Sequence, residues 1–260
     1  MNKFVWLFFL LSIPFSINAS ENNLEVYVLY NHENFIKNSP SYNVAWALFE
    51  KAATKNNINL LLIYSSWNKS LKLLKSNKAD SALLAFYTKE RAKSMGFSVP
   101  VGLDAISIFK SKDSTLKDGF KNSTIGVHKG SIHTDLAKNK GFKYIYESTT
   151  RPELHRMLIA GRIDYILENE SLVEYFCVHI NDQKNCPTKV GLPLKKEPLY
   201  IVYNSKKPSV YNLFYKLNKY IYNERESVET KELFLNAGYS LEQYNTWKKV
   251  LIAHVNQYTF

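Results

Sequence analysis

Among the residues able to bind or transform a small molecule, Arg91 stands first. It follows the apolar run Ser81–Phe86 by a few positions. A guanidinium presents paired donors that match a carboxylate in two hydrogen bonds. A helix starting beside it would add backbone donors and a dipole that favours an anion. The competing reading of Arg91 is an ordinary helix cation beside Glu90. Rings are the second resource: 18 Tyr, 15 Phe and 4 Trp make up 14% of the chain. Tyr30, Phe35, Trp67, Phe86 and Tyr87 all fall near the ends of apolar runs, where they could stack on a planar or apolar ligand. Taken singly, Trp67 and Phe86 read more readily as core, while Tyr30 and Phe35 divide evenly.

Catalytic signatures are missing from the sequence. It has no Gly-x-Ser-x-Gly elbow, no His-Glu-x-x-His and no glycine-rich phosphate loop. Six histidines are dispersed at positions 32, 128, 133, 155, 179 and 254. His128 and His133 flank Gly130, but a surface or supporting role outweighs metal binding for both. The expectation is a protein without metal or cofactor and without enzymatic activity.

The elements that would carry these residues alternate between strand and helix. Leu24–Tyr30, Ile58–Tyr64 and Ser81–Phe86 read as strands, the first by its period of two and the last as a buried apolar run. Asn31 to Pro40 reads as a loop, with Ser41 capping a helix through Val44, Ala45, Leu48, Phe49 and Ala52. Trp67 opens a short helix. Ala105–Phe109, Thr124–Val127, Phe142–Glu147, Asp164–Leu167 and Leu199–Tyr203 are further strands. A helix starts at Pro152 and stops at Gly161, and helices fill most of Val210 to Tyr258. Such alternation argues for largely parallel sheet covered by helices on both faces. Ligand crevices in open α/β sheets lie beyond the carboxyl ends of strands. Tyr30, Trp67, Phe86 to Arg91, Ser131 and Asn169 occupy such positions.

The chain has 260 residues, 34 Lys+Arg against 23 Asp+Glu, and a net charge of +11. Its 45% apolar and 22% charged residues exclude a disordered chain, a collagen-like repeat and a disulfide-dense mini-protein. Lys3, the apolar run from Phe4 and the small-residue exit at Ala19 form a secretory signal peptide over residues 1–19. That run is too short to span a bilayer of roughly 30 Å as a stable helix. Its removal takes only Lys3, so +11 becomes +10. Export to the periplasm removes nucleic acid as a partner, and the scattered lysines read as solvated surface. Cys177 and Cys186 are close enough in sequence to form a disulfide in an oxidising compartment. Chain entropy makes the short loop worth roughly 2–3 kcal/mol. Free thiols or a metal pair are the alternative, without a Cys-x-x-Cys spacing to support them.

Four blocks, in order, resemble the periplasmic solute-binding proteins of the amino-acid-binding type (family 3). They are Asp80–Arg91, Phe97-Ser98-Val99-Pro100, Ile125-Gly126-Val127-His128-Lys129-Gly130-Ser131 and Gly161-Arg162-Ile163-Asp164-Tyr165. The resemblance implies a periplasmic-binding-protein-like type II fold, two α/β lobes joined by hinge strands around a ligand cleft. Lobe 1 would comprise residues 20–108 and return over 201–260, and lobe 2 residues 109–200, with hinges near Ile108 and Leu199. In that family the Arg of a Thr-x-x-Arg segment grips the ligand carboxylate, a pattern Thr88 and Arg91 fill. The ligand-binding set expected is Arg91, Thr88, Phe86, Tyr30, Trp67, Ser131, Asn169 and Phe35.

Three positions depart from the family pattern. Phe86 and Ile132 stand where relatives place hydroxyl residues. Asn169 stands where relatives carry an Asp that receives the α-ammonium, and a neutral amide cannot supply that charge-assisted bond. Strand alternation leaves Glu168 and Glu170 on the face opposite Asn169. The implied function is capture of a small amino-acid-like or carboxylate-bearing solute by a monomer, for an ABC transporter permease. The alternative is a sensor-linked or orphan binding protein of the same fold. A third reading, a dehydratase-like enzyme using Glu168, draws on the few periplasmic dehydratases this fold hosts.

Overall fold

The computed structural model describes residues 22–112, 114, 122–179 and 185–257. The signal peptide expected at 1–19 lies outside them, as does most of the polar stretch between residues 110 and 122. In β1 (Asn23–Val28) the alternate residues Leu24, Val26 and Val28 are buried, as its period of two requires. The segment expected to be a loop forms α1 (His32–Asn38), because His32 and Phe35, one turn apart, both find the core. Helix α2 (Pro40–Lys55) has Ser39 at its N-cap and Pro40 as its first residue. Ser41 is therefore not the cap, and its hydroxyl is free to point elsewhere. Strand β2 (Asn59–Tyr64), helix α3 (Trp67–Lys75) and strand β3 (Ser81–Phe86) follow, with β1 parallel to both strands.

A four-residue helix α4 (Lys89–Ala92), a short β4 (Gly96–Phe97) and the long β5 (Gly102–Lys110) lead out of this half. The second half comprises β6 (Thr124–His128), α5 (His133–Lys140), β7 (Tyr144–Ser148), α6 (Arg151–Ile159), β8 (Tyr165–Asn169) and α7 (Glu170–His179). Strand β9 (Thr188–Tyr203) runs back, and α8 (Pro208–Asn223), α9 (Val228–Asn236) and α10 (Leu241–Gln257) complete the first half. The strands join in the order β2-β1-β3-β9-β5-β8-β6-β7, with β4 on β9. Each outer trio is internally parallel, as the strand–helix alternation implies, but β9 lies antiparallel to β3 and β5, and β5 antiparallel to β8. The sheet is thus mixed because only β5 and β9, running in opposite directions, cross between the halves. Two α/β lobes joined by two strands result.

Helix α7 was not legible in the sequence. Its polar Glu170, Glu174 and His179 surround Leu172, Tyr175 and Phe176, which are buried against the core of the other lobe. Phe35 of α1 meets Tyr175 with ring centroids 4.4 Å apart. Cys177 near the end of α7 is disulfide-bonded to Cys186 ahead of β9, with Cα atoms 5.0 Å apart. No helix among the described residues is long and apolar enough to cross a membrane.

Candidate functional site

A cavity of about 70 Å³ lies between the lobes where β3, β5, β8 and the starts of α2, α5, α6 and α7 converge. Its volume is about half that of an engineered cavity that admits benzene, roughly 150 Å³. The first lobe presents it through an irregularity in β3. The register of β3 on β9 shifts between Ala82 and Ala85, and Leu84 has φ +61°. Such bulges re-aim side chains beside binding sites, and here Leu83 through Phe86 all reach the cavity wall.

Arg91 is 7% exposed and lines the same wall. Its backbone position is set by Thr88, whose hydroxyl caps α4 by accepting from the Arg91 amide at 3.1 Å. The guanidinium donates through Nη1 to the Phe86 carbonyl (2.8 Å) and through Nη2 to the Gly130 carbonyl of the opposite lobe (3.1 Å). It also sits 5.4 Å from the centre of the Trp67 ring, a cation–π contact. Burial lowers its pKa to about 10. Among the described residues no carboxylate is ion-paired with it.

Trp67 donates from Nε1 to the same Gly130 carbonyl at 3.4 Å. Gly130 has φ +76°, the left-handed region that favours glycine, and a Cβ there would press on the Asn68 side chain of α3. Ser131, next in the chain, donates to the His128 carbonyl and accepts from the His133 amide.

The second lobe carries a buried charged layer behind the wall. Arg151, at the start of α6, is in the cavity lining, and its Nε lies 3.0 Å from Glu168 Oε2. Glu168 is 1% exposed. Burial would raise its carboxyl, but Arg151, then His133 and the Asn169 amide, outweigh that and hold it below the ordinary value. His128, His133 and His155 are buried around this pair. Desolvation first, with Arg151 adding to it, depresses their pKa values to about 3, 4 and 4, so all three are neutral at pH 7. His128 Nε2 is 3.2 Å from the Thr149 carbonyl and His133 Nε2 3.0 Å from Asn169 Oδ1. The two rings therefore serve separate partners and do not converge on one point.

Asn169 links this layer to Asp104. Its Oδ1 faces His133, and its Nδ2 donates to Asp104 Oδ2 at 3.0 Å. Ser171 Oγ donates to the same oxygen at 2.6 Å, while Ser41 Oγ donates to Ser171 Oγ at 2.8 Å. The Ala105 amide donates to Oδ1 at 2.8 Å. Desolvation outweighs these bonds and pushes Asp104 up to about 6.

Of the expected set, Arg91, Phe86, Trp67, Ser131 and Asn169 all line the cavity. Tyr30 does not: it is 65% exposed on the turn after β1. Phe35 is buried between Tyr42 and Tyr175, in the core that joins the lobes. Thr88 acts as a helix cap. Asp104, Arg151, His133, Ser41 and Ser171 were missed. Two left a trace in the sequence: Asp104 is the lone carboxylate in a mostly apolar strand, and Arg151 is a cation in a helix's first turn, where the dipole favours anions.

The fold is that of the two-lobed, periplasmic-binding-protein-like α/β proteins, in the form taken by amino-acid-binding members. Among solved structures, a histidine kinase sensor domain similar to periplasmic binding proteins matches with TM-score 0.69 at 15% identity, covering 84% of this chain and 96% of that one. ArtJ, the arginine-, lysine-, histidine-binding protein of Geobacillus stearothermophilus, matches at 0.68 and 18%, over 83% and 95%. An ancestral amino acid-binding protein, a precursor of cyclohexadienyl dehydratase, matches at 0.67 and 18%, over 84% and 96%. No family model and no curated protein matches the sequence.

Proposed function

We propose that the chain is a periplasmic solute-binding protein that closes its lobes on a small carboxylate-bearing ligand, with Arg91 as the carboxylate anchor. The observation that carries this reading is the state of Arg91: a buried guanidinium in the cavity wall whose hydrogen-bond partners, among the described residues, are neutral carbonyls. A buried charge without a counter-ion is costly, and a ligand carboxylate would supply one. The small volume requires the lobes to part for entry, a hinge motion that two connecting strands permit. Delivery to an inner-membrane permease fits the export signal read at residues 1–19.

A sensor role is the second reading, favoured by the likeness to a histidine kinase sensor domain. The dehydratase-like reading loses ground, because Glu168 sits behind the cavity wall and its charge is taken by Arg151. Thermal shift against a panel of small acids and amino acids tests the proposal. A ligand at 100 times its Kd should stabilise the protein by about 2.7 kcal/mol. That shift should vanish in Arg91→Gln, and an undiminished shift would refute the anchor. An adjacent permease gene or an adjacent sensor gene would separate transport from signalling.

A further inference from the structure

Beyond the two connecting strands the lobes meet at two contacts, and these differ in kind. Between α7 and the pair α1 and α2 the contact is apolar. There Leu172, Tyr175 and Phe176 are buried in the first-lobe core together with Phe35. The Phe35 ring centroid lies 4.4 Å from that of Tyr175 and 6.3 Å from that of Phe176. At the edge of this contact Ser41 of α2 donates to Ser171 of α7 at 2.8 Å. The other contact is polar and sparse: the Gly130 carbonyl accepts from Arg91 at 3.1 Å and from Trp67 at 3.4 Å. The cavity reaches both, with Ser41, Ser171 and Leu172 from one and Trp67, Arg91 and Ser131 from the other.

Helix α7 is nevertheless fastened to the second lobe at both ends. Glu170, in its first turn, accepts from Ser107 at 2.5 Å, in the stretch of β5 that pairs with β8. Glu170 also pairs with Lys189 of β9 at 3.2 Å. Cys177, in the last turn, is bonded to Cys186 ahead of β9. The ends of α7 thus move with the second lobe while its rings lie in the core of the first. Parting the lobes there would return Phe35, Leu172, Tyr175 and Phe176 to water. At Gly130 it would only exchange two hydrogen bonds to one carbonyl for bonds to water, a far smaller loss.

We propose that α7 pins the lobes together on one side, so that the cleft opens at the Gly130 contact alone and the ligand enters past Trp67. The axis of the swing then runs along the α1–α7 contact as well as through the two connecting strands, instead of through the strands only. This rests on the reading that the lobes part to admit a ligand, but not on which group of the ligand Arg91 holds.

Spin-label distances, measured by pulsed electron paramagnetic resonance on the oxidised chain without ligand, report the two sides separately. Labels at Lys69→Cys and Lys129→Cys span the Gly130 contact, and labels at Lys37→Cys and Glu174→Cys span the pin; all four positions are exposed. The perturbation is Gly130→Ala, whose added Cβ presses on Asn68. In the wild type each pair should give one narrow distance. In Gly130→Ala the Gly130 pair should shift to longer distances while the pin pair stays at its wild-type value. Adding Phe35→Leu thins the pin without emptying it, and should broaden the pin pair as well. Equal lengthening of both pairs in Gly130→Ala, the result of a hinge made by two strands alone, overturns the proposal. A Gly130 pair that does not move, or a pin pair indifferent to Phe35→Leu, overturns it too. Since no ligand is present, failure of the Arg91 anchor in the thermal-shift assay leaves the pin standing, and failure of the pin leaves the anchor standing.

Discussion

Removing Arg151 should expose how the second lobe tolerates a buried carboxylate. In Arg151→Gln, Glu168 keeps its 1% exposure and its neighbours, but loses the cation 3.0 Å away. Its surroundings are then three neutral histidines and one backbone amide. Breaking a buried pair from one side costs about 3–5 kcal/mol, a large part of the 5–15 kcal/mol typical of a whole domain. At roughly 2–4 °C per kcal/mol for a chain of this size, the midpoint should fall by about 6–20 °C. Replacing both charges, as Arg151→Gln/Glu168→Gln, should recover most of the loss, because a neutral pair of similar volume needs no counter-ion. Urea and thermal unfolding of the wild type, both single variants and the double variant would give the coupling directly. The pH dependence supplies a second check. Without Arg151 the Glu168 carboxyl should titrate above its unfolded value, so its penalty is full at pH 7 and fades as the group takes up a proton. The gap between wild type and Arg151→Gln should therefore shrink from pH 7 to pH 5. Additive single losses, or a gap that stays constant with pH, would refute the account of this pair.

Acid should destabilise the wild type above the carboxylate range. His128, His133 and His155 are held neutral in the fold, at about 3, 4 and 4, but bind protons when unfolded below their ordinary value. Their contribution is present above pH 6.5 and is lost as pH falls toward 4. Asp104, raised to about 6, acts oppositely, its burial penalty growing from pH 4 to 6. Three groups against one leave a net fall of about 2–3 kcal/mol per pH unit between pH 6 and 4, measurable by urea unfolding; a flat profile would contradict the buried neutral rings. Reducing Cys177–Cys186, which closes a sequence separation of 9, should cost about 2–3 kcal/mol and 5–10 °C; an unchanged melting curve in dithiothreitol would count against a stabilising bond. Gly130→Ala places a Cβ against Asn68 and strains a φ of +76°, so the Gly130 turn should leave α3. Trp67 emission should shift to the red and small-angle scattering should show a larger radius, and a wild-type emission spectrum would show that the turn does not bear on closure.

Period and punctuation make most of the fold legible in the amino-acid sequence. Strand β3 matches its expected limits, Ser81–Phe86, because an apolar run bounded by Asp80 and Tyr87-Thr88 has one way to be buried. The helix from Arg151 to Ile159 was marked by Pro152 and Gly161. Helices α1 and α7 were not marked, since each buries only a few residues, against a partner helix distant in sequence: Phe35 needs Tyr175, and the reverse. The site divides along the same line. Phe86 and Asn169 end strands and Arg91, Trp67 and Ser131 follow them, where crevices form, so position alone brought them forward. Asp104 and Arg151 matter through their partners, and a partner 65 or 17 residues away carries no local signal. Ser41 shows the limit most directly. Read locally it is a helix cap, but Pro40 takes the first helical position and its hydroxyl turns toward Ser171 and Asp104.

On the proposed function, Arg91 would have two tasks that compete for one guanidinium. Its Nη2 and the Trp67 indole both hold the Gly130 carbonyl of the opposite lobe, beside an apolar wall that includes Phe86, Ile132 and Leu199. A ligand carboxylate would act mainly electrostatically there, as the counter-ion of a buried cation. Apparent affinity then depends on the competent fraction of the population as well as on contacts in the cavity. A change at Gly130 or Asn68, which hold closure from outside the cavity lining, should move affinity for every ligand by one common factor. A change at Asp104 or Phe86, in the wall, should instead move the ratio between ligands. On the proposed function, selectivity and closure would be separable, because one would rest on side chains in the wall and the other on a backbone carbonyl at a glycine turn.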